Sequence, residues 1–216
     1  MLTLTLDDAK RPLRTVLFLG AHCDDIEIGC GGTLLKLISQ HPDLRVHWVV
    51  FSADPIRATE AQLSAGLFLK EAAERQVAIR QFRESLFPWE GRQIKEYLET
   101  LKGISPDLIF THYRDDLHQD HAMISHLTWN TFRNHLILEY EIPKYDGDLG
   151  VPNLYVNLDE SVCRRKIRHI MECYRSQRNK HWFTEDTFLA LMRMRGIESD
   201  GGGRYAEAFY CRKMVL

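Results

Sequence analysis

The chain has 216 residues, 44% of them apolar, which is enough for one well-buried core and too little for two ordinary enzyme domains. Its 28 basic and 30 acidic residues leave a formal net charge of −2, which argues against an electrostatic nucleic-acid binder. Aromatics at 10% exclude a disordered chain, and no apolar run approaches the ~18 residues of a membrane span. The opening MLTLTLDDAKRP lacks the basic-then-apolar order of a secretory leader. The cysteines, Cys23, Cys30, Cys163, Cys173 and Cys211, form no C-x-x-C pair and give no disulfide framework or cysteine zinc finger. A cytoplasmic setting is therefore the expectation.

Thr15 to Leu19 is a short apolar run ending at Gly20, as buried parallel strands do. A glycine-rich turn follows, then a helix near Gly31 with Leu34, Leu35, Leu37 and Ile38 spaced for one face. Val46 to Phe51 reads as a strand, Arg57 to Ala73 as a helix and Val77 to Phe82 as a third strand. Gln93 to Lys102 is helical, and Asp107 to Thr111 is another buried strand. This alternation predicts an α/β fold: a Rossmann-like, mostly parallel sheet flanked by helices, in a single domain over residues 1–216. Beyond it, His121 to His135 reads as a helix, Glu139 to Gly147 as a strand running into a turn, and Asp159 to Tyr174 as a helix. Gly201 to Gly203 is a loop, and Glu207 to Leu216 a final strand.

Two clusters carry chemistry. One is Gly20-Ala-His22-Cys-Asp24-Asp25-Ile-Glu-Ile-Gly-Cys-Gly-Gly-Thr-Leu34; the other is Thr111-His-Tyr-Arg-Asp-Asp-Leu-His118-Gln-Asp120-His121. Each follows an expected strand, and in open parallel sheets ligands sit beyond the carboxyl ends of the strands. Neutral imidazole and carboxylate together suit a zinc-like metal, which in catalytic sites takes about three protein ligands. His22 and Asp25, and likewise His118 and His121, stand three apart. Taken singly, any of these has a plain structural role: a surface histidine, or an aspartate capping the next helix. Together at two strand ends they point to a metal site. A dinucleotide site fits poorly, because His22, Asp24 and Asp25 intervene where G-x-G-x-x-G should open.

The strand followed by Ala-His-x-Asp-Asp, then Gly-Cys-Gly-Gly-Thr-Leu, then a downstream Asp-x-His-Gln-Asp-His, resembles the LmbE-like (PIG-L) deacetylase family. These are mostly zinc-dependent N-acetylglucosaminyl deacetylases and related amidases. The similarity runs from about Leu13 to Leu216. Glu141-Ile-Pro-Lys-Tyr-Asp-Gly147, Tyr174-Arg-Ser-Gln177 and Tyr205-Ala-Glu-Ala-Phe209 resemble the bacterial branch linked to cell-surface sugars. The resemblance implies a Zn²⁺ cofactor held by His22, Asp25 and His121. It implies Asp24 as general base, His118 as the group that protonates or stabilises the reacting amide, and Asp120 as the carboxylate orienting His118. Arg57 matches a substrate-side arginine, though a solvated helix end reads the residue almost as well. Cys23 replaces the family's usual proline, which puts the stiffness of the turn in question.

The implied substrate is a small-molecule or carrier-linked N-acyl amino sugar, deacylated by zinc-activated water; the family pattern is compatible with a homo-oligomer. Two alternatives stay open: an amidase acting on another N-acyl substrate, and a catalytically idle scaffold that binds metal or glycan. An intact Asp24 argues against the scaffold.

Overall fold

A computed structural model of the chain describes residues 12–214. The N-terminal segment 1–11 and the last two residues of the expected final strand lie outside the described residues. Seven strands form one sheet: β1 (Thr15–Gly20), β2 (Arg45–Val50), β3 (Glu74–Ile79), β4 (Leu108–His112), β5 (Leu136–Tyr140), β6 (Leu154–Leu158) and β7 (Tyr205–Cys211). Their spatial order is β3-β2-β1-β4-β5-β7-β6. The first five run parallel, and β7 lies antiparallel between β5 and β6. Six helices flank it: α1 (Asp25–Gln40), α2 (Pro55–Phe68), α3 (Phe87–Thr100), α4 (Gln119–Thr131), α5 (Glu160–Cys173) and α6 (Glu185–Ser199). None of the described helices is long and apolar enough to cross a membrane.

The apolar runs are buried on both faces, as parallel strands covered by helices must be. Along β1, Val16 and Phe18 join the larger core under α1, α2, α5 and α6, while Leu17 and Leu19 join the smaller core under α3 and α4. Phe18 stacks on Phe110 of β4, with ring centroids 4.7 Å apart. The Asp107 carboxylate accepts the backbone N–H groups of Arg14 (2.9 Å) and Thr15 (2.8 Å), fixing β1 against β4 at their starts. Their opposite, carboxyl ends therefore lie side by side on one sheet edge, and both chemical clusters begin there.

Several elements differ from the sequence reading. Helix α1 begins at Asp25, so Gly29, Gly31 and Gly32 are helical rather than a turn. The helix is broken at Cys30 (φ −146°, ψ 17°), and its second segment opens near Gly31, where the sequence places the whole helix. The break is stabilised from the sheet and from α5. Glu207 of β7 accepts the N–H groups of Gly32 (2.8 Å) and Thr33 (2.6 Å), orphan donors at the new helix start. Lys166 of α5 donates to the Ile28 carbonyl (2.6 Å) and pairs with Glu207 (2.7 Å). The glycines permit the close approach: a Cβ on Gly29 would stand 2.2 Å from the Tyr140 ring, and one on Gly32 2.5 Å from Leu158.

Strand β5 starts at Leu136 and ends at Tyr140; the expected extension to Gly147 is a loop, in which Pro143 has no N–H to give a ladder. Strand β6 and helix α6 are additions to the sequence reading.

Candidate active site

Asp24 is the N-cap of α1, His22 lies just before it on the β1–α1 turn, and Asp25 opens the helix. His112 ends β4, His118 is the N-cap of α4, and Asp120 and His121 stand in its first turn. The turn after β1 and the start of α4 meet at the floor of a cleft of about 210 Å³, where His22, Asp24, Asp25, His118 and His121 come together. Arg57, in the first turn of α2, lines the same cleft. Cys23 points away, into the core, with its thiol on the Ser52 carbonyl at 3.4 Å.

Three donors expected to hold one ion converge. His22 Nδ1 is 3.1 Å from His121 Nε2. Asp25 Oδ2 lies 3.5 Å from the first nitrogen and Oδ1 3.6 Å from the second. The other nitrogen of each ring is committed to a carboxylate: His22 Nε2 to Asp120 Oδ2 at 3.2 Å, and His121 Nδ1 to Asp116 Oδ2 at 2.9 Å. Metal-ligating imidazoles are held this way. Two nitrogens bound to one zinc at 2.0–2.1 Å stand ~3.3 Å apart, close to the spacing here. Burial alone would lower the His22 pKa, but Asp25 and Asp120 raise it to about 10. Burial and neighbouring His112 drive His121 down to about 3. Asp25 is held well below the usual carboxylate range, against its burial, by His121, His112 and His22. Two groups of donors lie close enough to hold a metal ion, His22–His118–His121 and Asp25–His112–His121; the expected set of His22, Asp25 and His121 is divided between them, with His121 common to both.

Asp24 faces the cleft beside this group. Arg57 Nη2 donates to its Oδ1 at 2.8 Å. Burial raises the Asp24 pKa, opposed by Arg57 and reinforced by Asp25. Arg57, read as a substrate-side group, is thus held against the carboxylate, with Glu84 3.6 Å from its other amino group.

Asp120 departs from its expected role. Its carboxylate does not meet the His118 ring; it accepts from Ser85 (2.6 Å) and Phe87 (3.1 Å) backbone N–H groups as well as from His22. What His118 receives from Asp120 is the backbone N–H, 3.2 Å from Nδ1, an N-cap contact. The first turn of α4 aims its carboxylate across to the β1–α1 turn, which explains the difference. Accepting at Nδ1 leaves His118 its proton on Nε2. Burial and the charge on His22 lower its pKa.

Asp116 and His112 are site residues that the sequence reading does not single out. Asp116 accepts from His121 Nδ1, from the His118 backbone N–H (2.8 Å) and from Lys144 Nζ (3.0 Å). Burial would raise its pKa, but His121, His112 and Lys144 hold it at about 2. His112 Nε2 accepts from the Ala21 N–H (2.9 Å), and its ring stacks on His121 at 4.0 Å. The only sequence signal for either is membership of the second cluster.

The fold has known counterparts. Residues 17–132, a little over half the chain, match the family model for PIG-L, GlcNAc-PI de-N-acetylase. Among solved structures, the conserved protein TT1542 from Thermus thermophilus superposes with TM-score 0.76 at 19% identity, covering 93% of this chain and 96% of that one. N,N'-diacetylchitobiose deacetylase from Pyrococcus horikoshii gives 0.72 at 20% identity, covering 92% and 84%. GalB, the 4-carboxy-2-hydroxymuconate hydratase from Pseudomonas putida, gives 0.76 at 14% identity, covering 94% and 98%. At these identities the structures share a fold, and that fold serves hydrolysis in one and hydration in another. The match of the family model, over the stretch that carries both chemical clusters, makes this chain a member of the PIG-L (LmbE-like) family.

Proposed function

We propose that the protein is a metal-dependent deacetylase that removes an N-acetyl group from an amino sugar or sugar conjugate. Family membership and deacetylase neighbours support a hydrolase of deacetylase type. The observation that carries the finer reading is the meeting of two imidazole nitrogens, each backed by a carboxylate, with Asp25 between them and Asp24 beside them. His22, Asp25 and His121 would hold one divalent ion, zinc being the natural choice for this donor set. Bound there, the ion would polarise the amide carbonyl and lower the pKa of water.

The remaining work falls to the chain's own residues. Asp24 accepts a proton as water adds to the carbonyl carbon, and its raised pKa suits a group that must take that proton and release it again. The His118 Nε2–H donates to the carbonyl oxygen as negative charge builds there. As the C–N bond breaks, Asp24 returns the proton to the departing nitrogen, giving free amine and acetate. Arg57 keeps Asp24 aimed at the reacting centre.

The test is acetate and free-amine release from N-acetyl saccharides, with metal content measured in parallel. Asp24→Asn should keep its metal and lose ~10²–10⁴-fold in rate. Asp25→Asn should weaken metal affinity and recover part of its activity in excess zinc. Full activity in Asp24→Asn would refute the mechanism. Wild-type hydration of an enol or alkene acid, with no amide hydrolysis, would replace the reading with that of the hydratase neighbour.

A further inference from the structure

One stretch singled out in the sequence, Tyr174-Arg-Ser-Gln177, has no part in that chemistry. It forms the turn that follows α5, and none of its residues lines the cleft. Tyr174 is fully buried, so its hydroxyl cannot touch a substrate. It donates instead to two acceptors inside the protein, the Cys23 carbonyl and Glu27 Oε1, as a three-centre bond. Ser64 of α2 donates to the same Glu27 oxygen at 2.5 Å. Two residues on, Ser176 holds Glu60 of α2 through its backbone N–H (2.9 Å) and its hydroxyl (2.6 Å). Glu60 stands one turn after Arg57, the partner of Asp24.

The Cys23 carbonyl belongs to the peptide that carries Asp24. A peptide unit is planar, so a hydrogen bond that fixes its oxygen also fixes the direction from which the chain enters Asp24. On the helix side Asp24 is held by its own carbonyl, which accepts the Ile28 N–H at 3.0 Å. Its side chain makes no cap bond, so the carboxylate stays free to face the cleft. On the other side the orientation depends on Cys23, which keeps two soft dihedrals where a proline would keep one. The Cys23 thiol, a weak donor, reaches the Ser52 carbonyl at 3.4 Å and does not touch the Cys23–Asp24 peptide. Tyr174 does, and it reaches that peptide from the core. Two side chains thus aim Asp24: Arg57 holds its carboxylate, and Tyr174 holds the peptide before it.

We infer that Tyr174 is a positioning residue for Asp24. Its hydroxyl holds the Cys23–Asp24 peptide in the orientation that points the carboxylate at the reacting centre, and so supplies the stiffness that a proline ring would give the turn. The inference rests on the deacetylase reading for what Asp24 does there, and not for the hold on the turn.

The experiment uses the whole chain as wild type, Tyr174→Phe, Ser64→Ala, Cys23→Pro and the double variant Cys23→Pro/Tyr174→Phe. Amine release from N-acetyl saccharides gives kcat and KM, metal content is measured on the same samples, and hydrogen exchange is followed over residues 24–28. Tyr174→Phe keeps the ring and its packing. It should lower kcat ~10–100-fold, the scale of a misaimed catalytic group, with KM and metal content within about twofold of wild type and faster exchange in the turn. Ser64→Ala removes a bond to Glu27 and leaves the Tyr174–Cys23 bond in place; it should cost stability in urea and leave kcat within about twofold. Cys23→Pro stiffens the turn by another route, and the Cys23 N–H makes no hydrogen bond among the described residues that proline would lose. The double variant should therefore regain part of the lost kcat and slow the exchange again, which two independent losses cannot do. Unchanged kcat or unchanged exchange in Tyr174→Phe would overturn the inference. So would a fall in kcat matched by a fall in bound metal, which would put the hydroxyl behind the ligands and not behind the base. If Tyr174→Phe does not fold alone, the double variant is compared with Cys23→Pro: nearly equal kcat upholds the inference, and a kcat lower by ~10–100-fold overturns it. Faster exchange in Tyr174→Phe, with no amine release from any saccharide by the wild type, would uphold the hold on the turn and refute the deacetylase reading.

Discussion

At the scale of single residues, Asp116 is the hub of the site, joining His121, the His118 backbone and Lys144. Asp116→Asn keeps the shape and can leave an N–H facing the His121 nitrogen that now donates. We expect metal affinity to fall ~10–100-fold in a chelator competition, as for other carboxylates behind a ligating histidine. The sequence makes the residue types and their clustering legible, because His22, Asp25, His118 and His121 stand in short motifs after strands. It cannot show which carboxylate faces which ring, since that depends on how the first turn of α4 is rotated; hence the resemblance pairs Asp120 with His118, whereas its carboxylate lies on His22. Glu27 behaves differently. It is fully buried behind the β1–α1 turn, where Tyr174 and Ser64 donate to one oxygen, and burial lifts its pKa to about 8. The folded protein therefore binds a proton here that the unfolded chain releases near its ordinary value. Stability from this group is complete below about 4.5 and is lost as pH rises through about 8. Glu27→Gln cannot ionise, so denaturant melts should show it gaining on wild type across that window. Equal pH dependence in the two would refute the assignment.

At the scale of elements, the broken α1 has the largest consequence. Its two segments are joined by a Lys166–Glu207 pair, each partner at most 4% exposed. Lys166→Met leaves a buried carboxylate unpaired and should cost ~3–5 kcal/mol in urea melts. Adding Glu207→Gln should recover part of that, because the stranded charge is gone while the amide oxygen still caps one of the Gly32 and Thr33 N–H groups. A double variant no more stable than Lys166→Met would mean that packing, not charge, holds the break. The glycines of α1 are visible in the sequence, but a break held by residues 166 and 207 is not, because its causes lie far along the chain. Helix α6 escapes notice for a local reason: Phe188, Leu189, Leu191, Met192 and Met194 surround it and give no single apolar face. Its acidic first turn and Thr184 cap are the better signals. In β6, the residues 154–157 are only partly buried, and Leu154-Tyr-Val-Asn-Leu158 is short enough to pass as loop.

At the scale of the whole molecule, the sheet does two jobs with one arrangement. Strand β1 pairs with β2 on one side and β4 on the other, so the chain's direction of winding reverses between β1 and β4. The crevice that this reversal opens at the carboxyl edge is where both clusters converge. This part of the fold is legible in the sequence, because alternating apolar strands and amphipathic helices restrict the topology strongly. The antiparallel insertion of β7 is not, since pairing partners on the far side of β5 leave no local trace. The cores are built from apolar side chains, so on the proposed reading a chelator should abolish activity reversibly while far-UV circular dichroism stays native. The loss of a tightly bound ligand, worth ~3–4 kcal/mol, should lower Tm by roughly 6–16 °C in a chain of this size. Collapse of the dichroism spectrum at 25 °C on chelation would show instead that the metal is a structural element.

The strand order also gives the protein an order of assembly. His22 and Asp25 are made early, and His121 follows only after three more strands, β2 to β4, and the helices α1 to α3 have been synthesised. A nascent chain that has paired β1 with β2 owns a carboxylate and one imidazole, a weak and open chelate. The third donor arrives when β4 slots in beside β1 and α4 docks behind it. On the proposed metal reading, tight capture of an ion would wait until the central sheet is in place. A nick in the surface segment between β3 and α3 would leave the proposed donors on two fragments. The ion would then staple them together, and its affinity would report on their reunion.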